Sequence, residues 1–296
     1  MTAGTFRERV DTLAEIRATR PGAIEDAAAR RVRRGRLLQP SGRLLIIAAD
    51  HPGRGSLAAG PDPLAMADRR DLLERVCLAL DRPGVDGVLG TPDLIEDLLL
   101  LGALDGKVVL GSMNRGGLAG TSFEIDDRFT GYDAAAIARA GLDGGKMLLR
   151  VDQDDPATAR TLESCARAVT ELAGHRLMAM VEPFISRRAD GRLRNVLTPE
   201  AMIRAIAIAS ALGTTSARTW LKVPVVADME RVMATSTLPA LLLGGEVPGD
   251  PDAVVAGWRK ALALPTVMGL VAGRSLLYPP GDDVGAAVDA AVDVLR

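Results

Sequence analysis

Eight short apolar runs punctuate the chain from residue 44 onward: Leu44–Ala49, Val85–Leu89, Val108–Gly111, Lys146–Val151, Leu177–Val181, Trp220–Val225, Ala240–Leu243 and Val267–Val271. Most are nearly continuous in hydrophobicity rather than alternating, the pattern of parallel strands covered on both faces. Between them the apolar positions take helical spacing, in Asp71–Leu80, Tyr132–Ala140, Pro156–Ala173, Pro199–Leu212, Asp252–Leu262 and Asp283–Leu295. Thr198-Pro199-Glu200 has the chemistry of a helix start: a capping hydroxyl, proline at the first position and an acid in the first turn. Eight strands alternating with helices over about 250 residues predict a (β/α)8 TIM barrel, here residues 43–296. An open doubly wound sheet is the alternative, but it would usually carry a Gly-x-Gly-x-x-Gly turn after an early strand, and the sequence has none.

Residues 1–42 break this rhythm and read as a helical extension. It carries a basic cluster, Arg30, Arg31, Arg33, Arg34 and Arg36, just before Pro40. A solvated helix face or an oligomer contact is the expectation for such a cluster, ahead of nucleic acid.

Composition narrows the function. An apolar fraction of 48% over 296 residues supplies a large core, and 25% charged residues exclude wholesale disorder. With four Phe, two Tyr and two Trp, the core must be aliphatic, and a stacking platform for single-stranded nucleic acid is excluded. A net charge of −2 argues against a phosphate-backbone binder. Cys77 and Cys165 fall in helical patterns and are expected to be buried thiols rather than a disulfide. Glu8, Asp11 and Glu15 spoil a transit-peptide reading, and no apolar run could span a bilayer. The expectation is a soluble cytoplasmic protein, with neither membrane nor nucleic-acid partners, that forms a homo-oligomer.

Lysine usage brings in chemistry. Of 36 basic residues only Lys107, Lys146, Lys222 and Lys260 are lysine, so arginine serves wherever a positive charge suffices. Arginine cannot lose its proton and so cannot be an amine nucleophile; lysine can. Lys107 and Lys260 fall at unremarkable positions. Lys146 and Lys222 sit inside apolar strands, the fourth and sixth, where an inward lysine needs a carboxylate. Asp50, at the end of the first strand, and Glu182, at the end of the fifth, can supply one, because barrel strand ends converge on one mouth. After the seventh and eighth strands, Leu243-Gly244-Gly245 and Gly273-Arg274 bring glycine backbone and a guanidinium to the usual phosphate position of such barrels.

At these residues the sequence resembles the DeoC/LacD/FbaB superfamily of class I aldolases, most closely its tagatose-bisphosphate aldolase-like branch. Leu221-Lys222-Val223-Pro224-Val225 resembles the Schiff-base strand, Gly145-Lys146-Met147-Leu148-Leu149 the fourth-strand lysine motif, Val181-Glu182-Pro183 the fifth-strand acid, and Asp50-His51 the first-strand pair. The resemblance spans roughly residues 43 to 278. It implies a barrel that cleaves a C–C bond of a phosphorylated ketose or keto-sugar acid through an imine at Lys222. Lys146, Glu182 and Asp50 would then handle protons and hydroxyl groups. A protonated Lys146 beside Lys222 would favour the free amine of Lys222. Substrate contacts are expected at Gly244, Gly245, Gly273 and Arg274, with His51 either a substrate contact or a histidine satisfied by a loop. Asn114-Arg115 and the polar stretch Arg187–Arg194 depart from the family pattern and read as substrate-selecting loops. No metal-ligand spacing occurs and no cofactor is expected. Two other readings stay open: a deoxyribose-phosphate aldolase, disfavoured by Gly244-Gly245 where the resemblance calls for a second lysine, and a non-catalytic sugar-phosphate sensor using the N-terminal segment as its interaction surface.

Overall fold

The computed structural model describes residues 3–38, 40–245 and 251–296. Each predicted run is a strand: β1 (Leu44–Ala48), β2 (Gly87–Gly90), β3 (Val108–Ser112), β4 (Gly144–Val151), β5 (Met178–Ala189), β7 (Thr219–Val223), β8 (Ala240–Leu243) and β9 (Val267–Ala272). These eight pair in parallel, and β4 also pairs with β5, which closes the sheet into a (β/α)8 barrel. Between and after the strands run helices α3 (Arg69–Leu80), α4 (Pro92–Leu100), α5 (Ala134–Arg139), α6 (Ala157–Gly174), α7 (Pro199–Ser210), α8 (Met229–Met233), α9 (Pro251–Leu262), α10 (Arg274–Leu277) and α11 (Val284–Leu295). Their starts follow local chemistry. Asp68 caps α3 through the Arg70 and Asp71 amides, and Thr198 caps α7 through that of Ala201.

Continuous hydrophobicity becomes intelligible once the two faces are separated. Residues of one parity, such as Leu45, Ile47, Val109, Ala179 and Leu221, pack under the helices. Those of the other, including Leu44, Ile46, Ala48, Leu110, Met178, Met180 and Leu241, form a second core inside the barrel. With period 2, the next inward positions at the C-terminal ends are Asp50, Ser112, Glu182 and Lys222. The chemistry thus continues apolar columns already fixed by packing.

The structure departs from expectation at two places. The basic cluster is neither a helix face nor solvated throughout. Helix α1 (Ala3–Thr19) ties to α4 through Arg17, which pairs with Glu96 at 2.8 Å and Asp97 at 2.9 Å, and α2 (Ala23–Arg30) packs on α4. The chain then runs beneath the barrel. Arg31, buried, donates to the carbonyls of Lys107 and Gly141, and Arg34 pairs with Asp86 at 2.8 Å. Leu37 and Leu38 join Trp220 and Met268 against the inner core, closing its floor. The second departure is Arg187–Arg194. Strand β5 runs on to Ala189, turns at Asp190 (φ 51°) and Gly191 (φ 72°), and returns as β6 (Arg192–Asn195). Two consecutive positive φ angles at Asp-Gly make this a tight hairpin rather than an irregular loop. Cys77 and Cys165 are buried free thiols. Among the described residues no helix is long and apolar enough to cross a membrane.

Candidate active site

At the C-terminal mouth of the barrel, Asp50, Lys146, Glu182 and Lys222 form one connected buried cluster. Glu182 sits between the two lysines, with Oε2 2.5 Å from Lys146 Nζ and Oε1 3.1 Å from Lys222 Nζ. Asp50 Oδ2 lies 3.3 Å from Lys146 Nζ. Strand register brings these groups together: Lys146 pairs with Ser112 on one side and Met180 on the other, one inward step below Glu182.

Two further residues belong to the cluster. Arg115 donates to Asp50 Oδ2 at 2.5 Å and to the Asp50 carbonyl at 2.8 Å, and Ser112 Oγ donates to Oδ2 at 3.0 Å. Ser112 carries no signal in the sequence, and Arg115 stands out there only as half of a pair expected to select substrate. Both residues of the Asn114-Arg115 pair are buried. Asn114 is wholly buried, donating to the Leu148 carbonyl at 2.6 Å and accepting from its amide at 2.8 Å. It laces β3 to β4 beside Lys146. Arg54 reinforces the same loop, donating to the Gly117 and Asn114 carbonyls and pairing with Asp127.

Burial and charge set the protonation states. Burial alone would raise the Asp50 carboxyl, but Arg115, Lys146 and Lys222 outweigh it and hold it well below the carboxylate range. Burial likewise works against ionised Glu182, yet Lys146 and Lys222 bring it down to about 2. For Lys146 burial dominates over the attraction of Asp50 and Glu182, and its ammonium falls to about 8. Burial, with Arg274, Lys222 and Lys146 adding to it, outweighs Asp50 and pushes His51 down to about 3, so its ring is neutral.

On the opposite side of the mouth, β8 and β9 end in glycines. A Cβ on Gly244 would lie 2.5 Å from Ser275 Oγ, and one on Gly273 would press into the Ala48 carbonyl oxygen and reach 3.0 Å from His51 Cε1. Gly245 takes a positive φ of 71°. Three buried polar atoms next to these glycines have no partner among the described residues: Ser275 Oγ, His51 Nδ1 and Arg274 Nε. Arg274 makes one long bond, 3.4 Å to the Ala58 carbonyl. Ser275, unremarked in the sequence, thus joins Gly244, Gly245, Gly273, Arg274 and His51. Orphaned donors beside close-packed glycine backbone fit an anion whose oxygens would occupy that space. Among the described residues no group of three or more His, Cys, Asp or Glu side chains is placed to hold a metal ion.

A family model described as Cgl0159-like matches residues 42–292. The chain belongs to the Cgl0159-like family. The crystal structure of Cgl0159 from Corynebacterium glutamicum (Brevibacterium flavum) is 51% identical to this Cgl0159-like chain, covers 97% of each and superposes with a TM-score of 0.95. An archaeal fructose 1,6-bisphosphate aldolase is 17% identical over 92% of this chain and 98% of its own, with a TM-score of 0.68. A Schiff-base-forming fructose-1,6-bisphosphate aldolase is 16% identical over 92% and 100%, at 0.63. With these two the likeness is one of fold. No curated protein matches the sequence.

Proposed function

We propose that this Cgl0159-like chain is a class I aldolase in which Lys222 forms an imine with a phosphorylated ketose or keto-sugar acid. The observation that carries the reading is the placement of two buried lysines on the two oxygens of one buried carboxylate, Glu182, at the mouth of an aldolase-like barrel.

The proposed chemistry starts from these contacts. Glu182 Oε1, 3.1 Å from Lys222 Nζ, accepts a proton and leaves a free amine to attack the substrate carbonyl. Glu182 returns that proton to the carbinolamine hydroxyl, which departs as water and leaves the protonated imine. The imine draws electrons from the adjacent C–C bond as the hydroxyl on the carbon beyond it loses its proton and becomes a carbonyl. Asp50 and Lys146 face that hydroxyl. The three side-chain donors on Asp50 all converge on Oδ2, so Oδ1 accepts the hydroxyl bond, and Lys146, brought down by burial to about 8, relays the proton. The phosphate lies against Gly244, Gly245, Gly273, Arg274, Ser275 and neutral His51, whose unpartnered groups it satisfies. Names of the similarly folded aldolases make fructose 1,6-bisphosphate the first substrate to test.

Borohydride reduction in the presence of a panel of ketose phosphates, with peptide mass analysis of the product, is the direct experiment. A reduced adduct on Lys222, absent from Lys222→Met, is the expected result. Turnover by Lys222→Arg at the wild-type rate, with no adduct on the wild type, would overturn the proposal.

A further inference from the structure

The floor of the barrel holds a second cavity, of about 210 Å3, at the end opposite Lys222. The segment after α2 forms one wall, with Arg33, Arg34 and Arg36; the turns before β5 and β7 form the other, with Arg176 and Arg218. Five guanidinium groups thus face a single lining carboxylate, Asp143, in a chain whose net charge is −2. Asp143 is already engaged: it accepts from the Val109 amide at 2.8 Å and stands 3.7 Å from Arg31 and 3.5 Å from Arg33. Among the described residues the side chains of Arg36, Arg176 and Arg218 have no ion-pair or hydrogen-bond partner.

A separate observation points inward. The Arg34 side chain is only 9% exposed and binds Asp86 through Nη1, yet its Nη2 is buried and has no partner among the described residues. A buried guanidinium nitrogen left open beside a basic cavity lacks an acceptor that an anion would provide. Arg176 adds to the picture. It occupies the left-handed position just past the end of α6 (φ 59°), where glycine is the usual choice. Arginine forks match phosphate oxygens two at a time. Trp220 and Leu37 supply apolar wall beside them, suited to a short carbon stem.

We propose that the cavity formed by Arg33, Arg34, Arg36, Arg176 and Arg218 beneath the barrel binds a small phosphomonoester, separately from the site at Lys222. Its volume of about 210 Å3 suits a phosphate with a few carbons. Trp220 both lines the cavity and shares an inward strand face with Lys222 two residues on, so it reports on occupancy.

The experiment uses the whole protein with inorganic phosphate and glycerol 3-phosphate as probes and chloride at matched ionic strength as control. In a Trp258→Phe background, Trp220 fluorescence should change saturably with either phosphate and not with chloride. The double variant Arg176→Ser/Arg218→Ser, altered only at exposed positions, should weaken binding at least about tenfold. Arg274→Ser, at the opposite mouth, should leave the titration unchanged. The thermal midpoint of the otherwise native protein gives a parallel readout that needs no tryptophan substitution: phosphate should raise it, and should raise it less in the double variant. A non-saturable response, an equal response to chloride, or a double variant that binds like its parent would sink the proposal.

Discussion

Asp50→Asn preserves side-chain shape while removing one buried negative charge, and the contacts around that charge set the cost. Oδ2 is met at 2.5 Å by Arg115, at 3.0 Å by Ser112 and at 3.3 Å by Lys146. Taking away one partner of a buried ion pair costs about 3–5 kcal/mol, because the other charge is stranded. Part of that cost depends on pH. Burial already lowers Lys146 from its ordinary 10.5 to about 8, equivalent to about 3 kcal/mol against the ammonium, and Asp50 is the strongest charge opposing the fall. Without Asp50 the folded value drops further. For a lysine whose folded value is depressed, the penalty is complete below that value and disappears as pH rises towards the unfolded 10.5. Urea unfolding monitored by circular dichroism should therefore show Asp50→Asn losing most stability near pH 6.5 and less near pH 9.5, the Arg115 share persisting at both. A loss below about 1 kcal/mol at the lower pH, or one that does not shrink at the higher, would refute the linked-charge account.

Three other outcomes are expected of the same structure. Gly273→Ala should lower stability by about 2 kcal/mol in urea, since the new methyl meets the backbone carbonyl of Ala48, and phosphate at that mouth should bind more weakly by calorimetry. Thr198→Ala should cost about 1 kcal/mol by removing the cap on the Ala201 amide, and Thr198→Ser should restore it. Glu182 is depressed from 4.5 to about 2, so its stabilising share is complete above 4.5 and is lost as pH falls through about 2. Wild-type protein should accordingly lose more thermal stability than Glu182→Gln between about pH 5 and 2.5.

The barrel was legible because its strands are buried on both faces and its helices carry period 3.6 with capping signals. All eight strand positions came from hydrophobicity alone. Lys146 and Lys222 stood out through composition, since apolar strands seldom admit a charge without a partner. Whatever depended on contact between distant segments escaped. Arg115 is expected to select substrate, and its bond to Asp50 shows only once the loop after β3 is placed. Ser112 and Ser275 become notable only when one is seen donating into the cluster and the other is left without a partner. The hairpin at Asp190-Gly191 was available in the sequence, but the four arginines around it suggested a polar loop. The basic cluster misled for the opposite reason: five arginines in seven positions look solvated, while Arg31 and Arg34 find carbonyls and a carboxylate at the strand starts.

The floor segment also bears on how the molecule is made. Residues 31–38 leave the ribosome before any strand, yet what they bind is spread over the chain: Asp86, Lys107, Gly141, and an inner core that runs from Leu44 to Val271. Each newly synthesised portion gives that segment another attachment, and the inner core under which Leu37 and Leu38 pack is complete only with Val271 of β9. A stretch that emerges ahead of the first strand is thus finished only when the ring closes, which makes the floor a natural checkpoint between a partial barrel and a complete one.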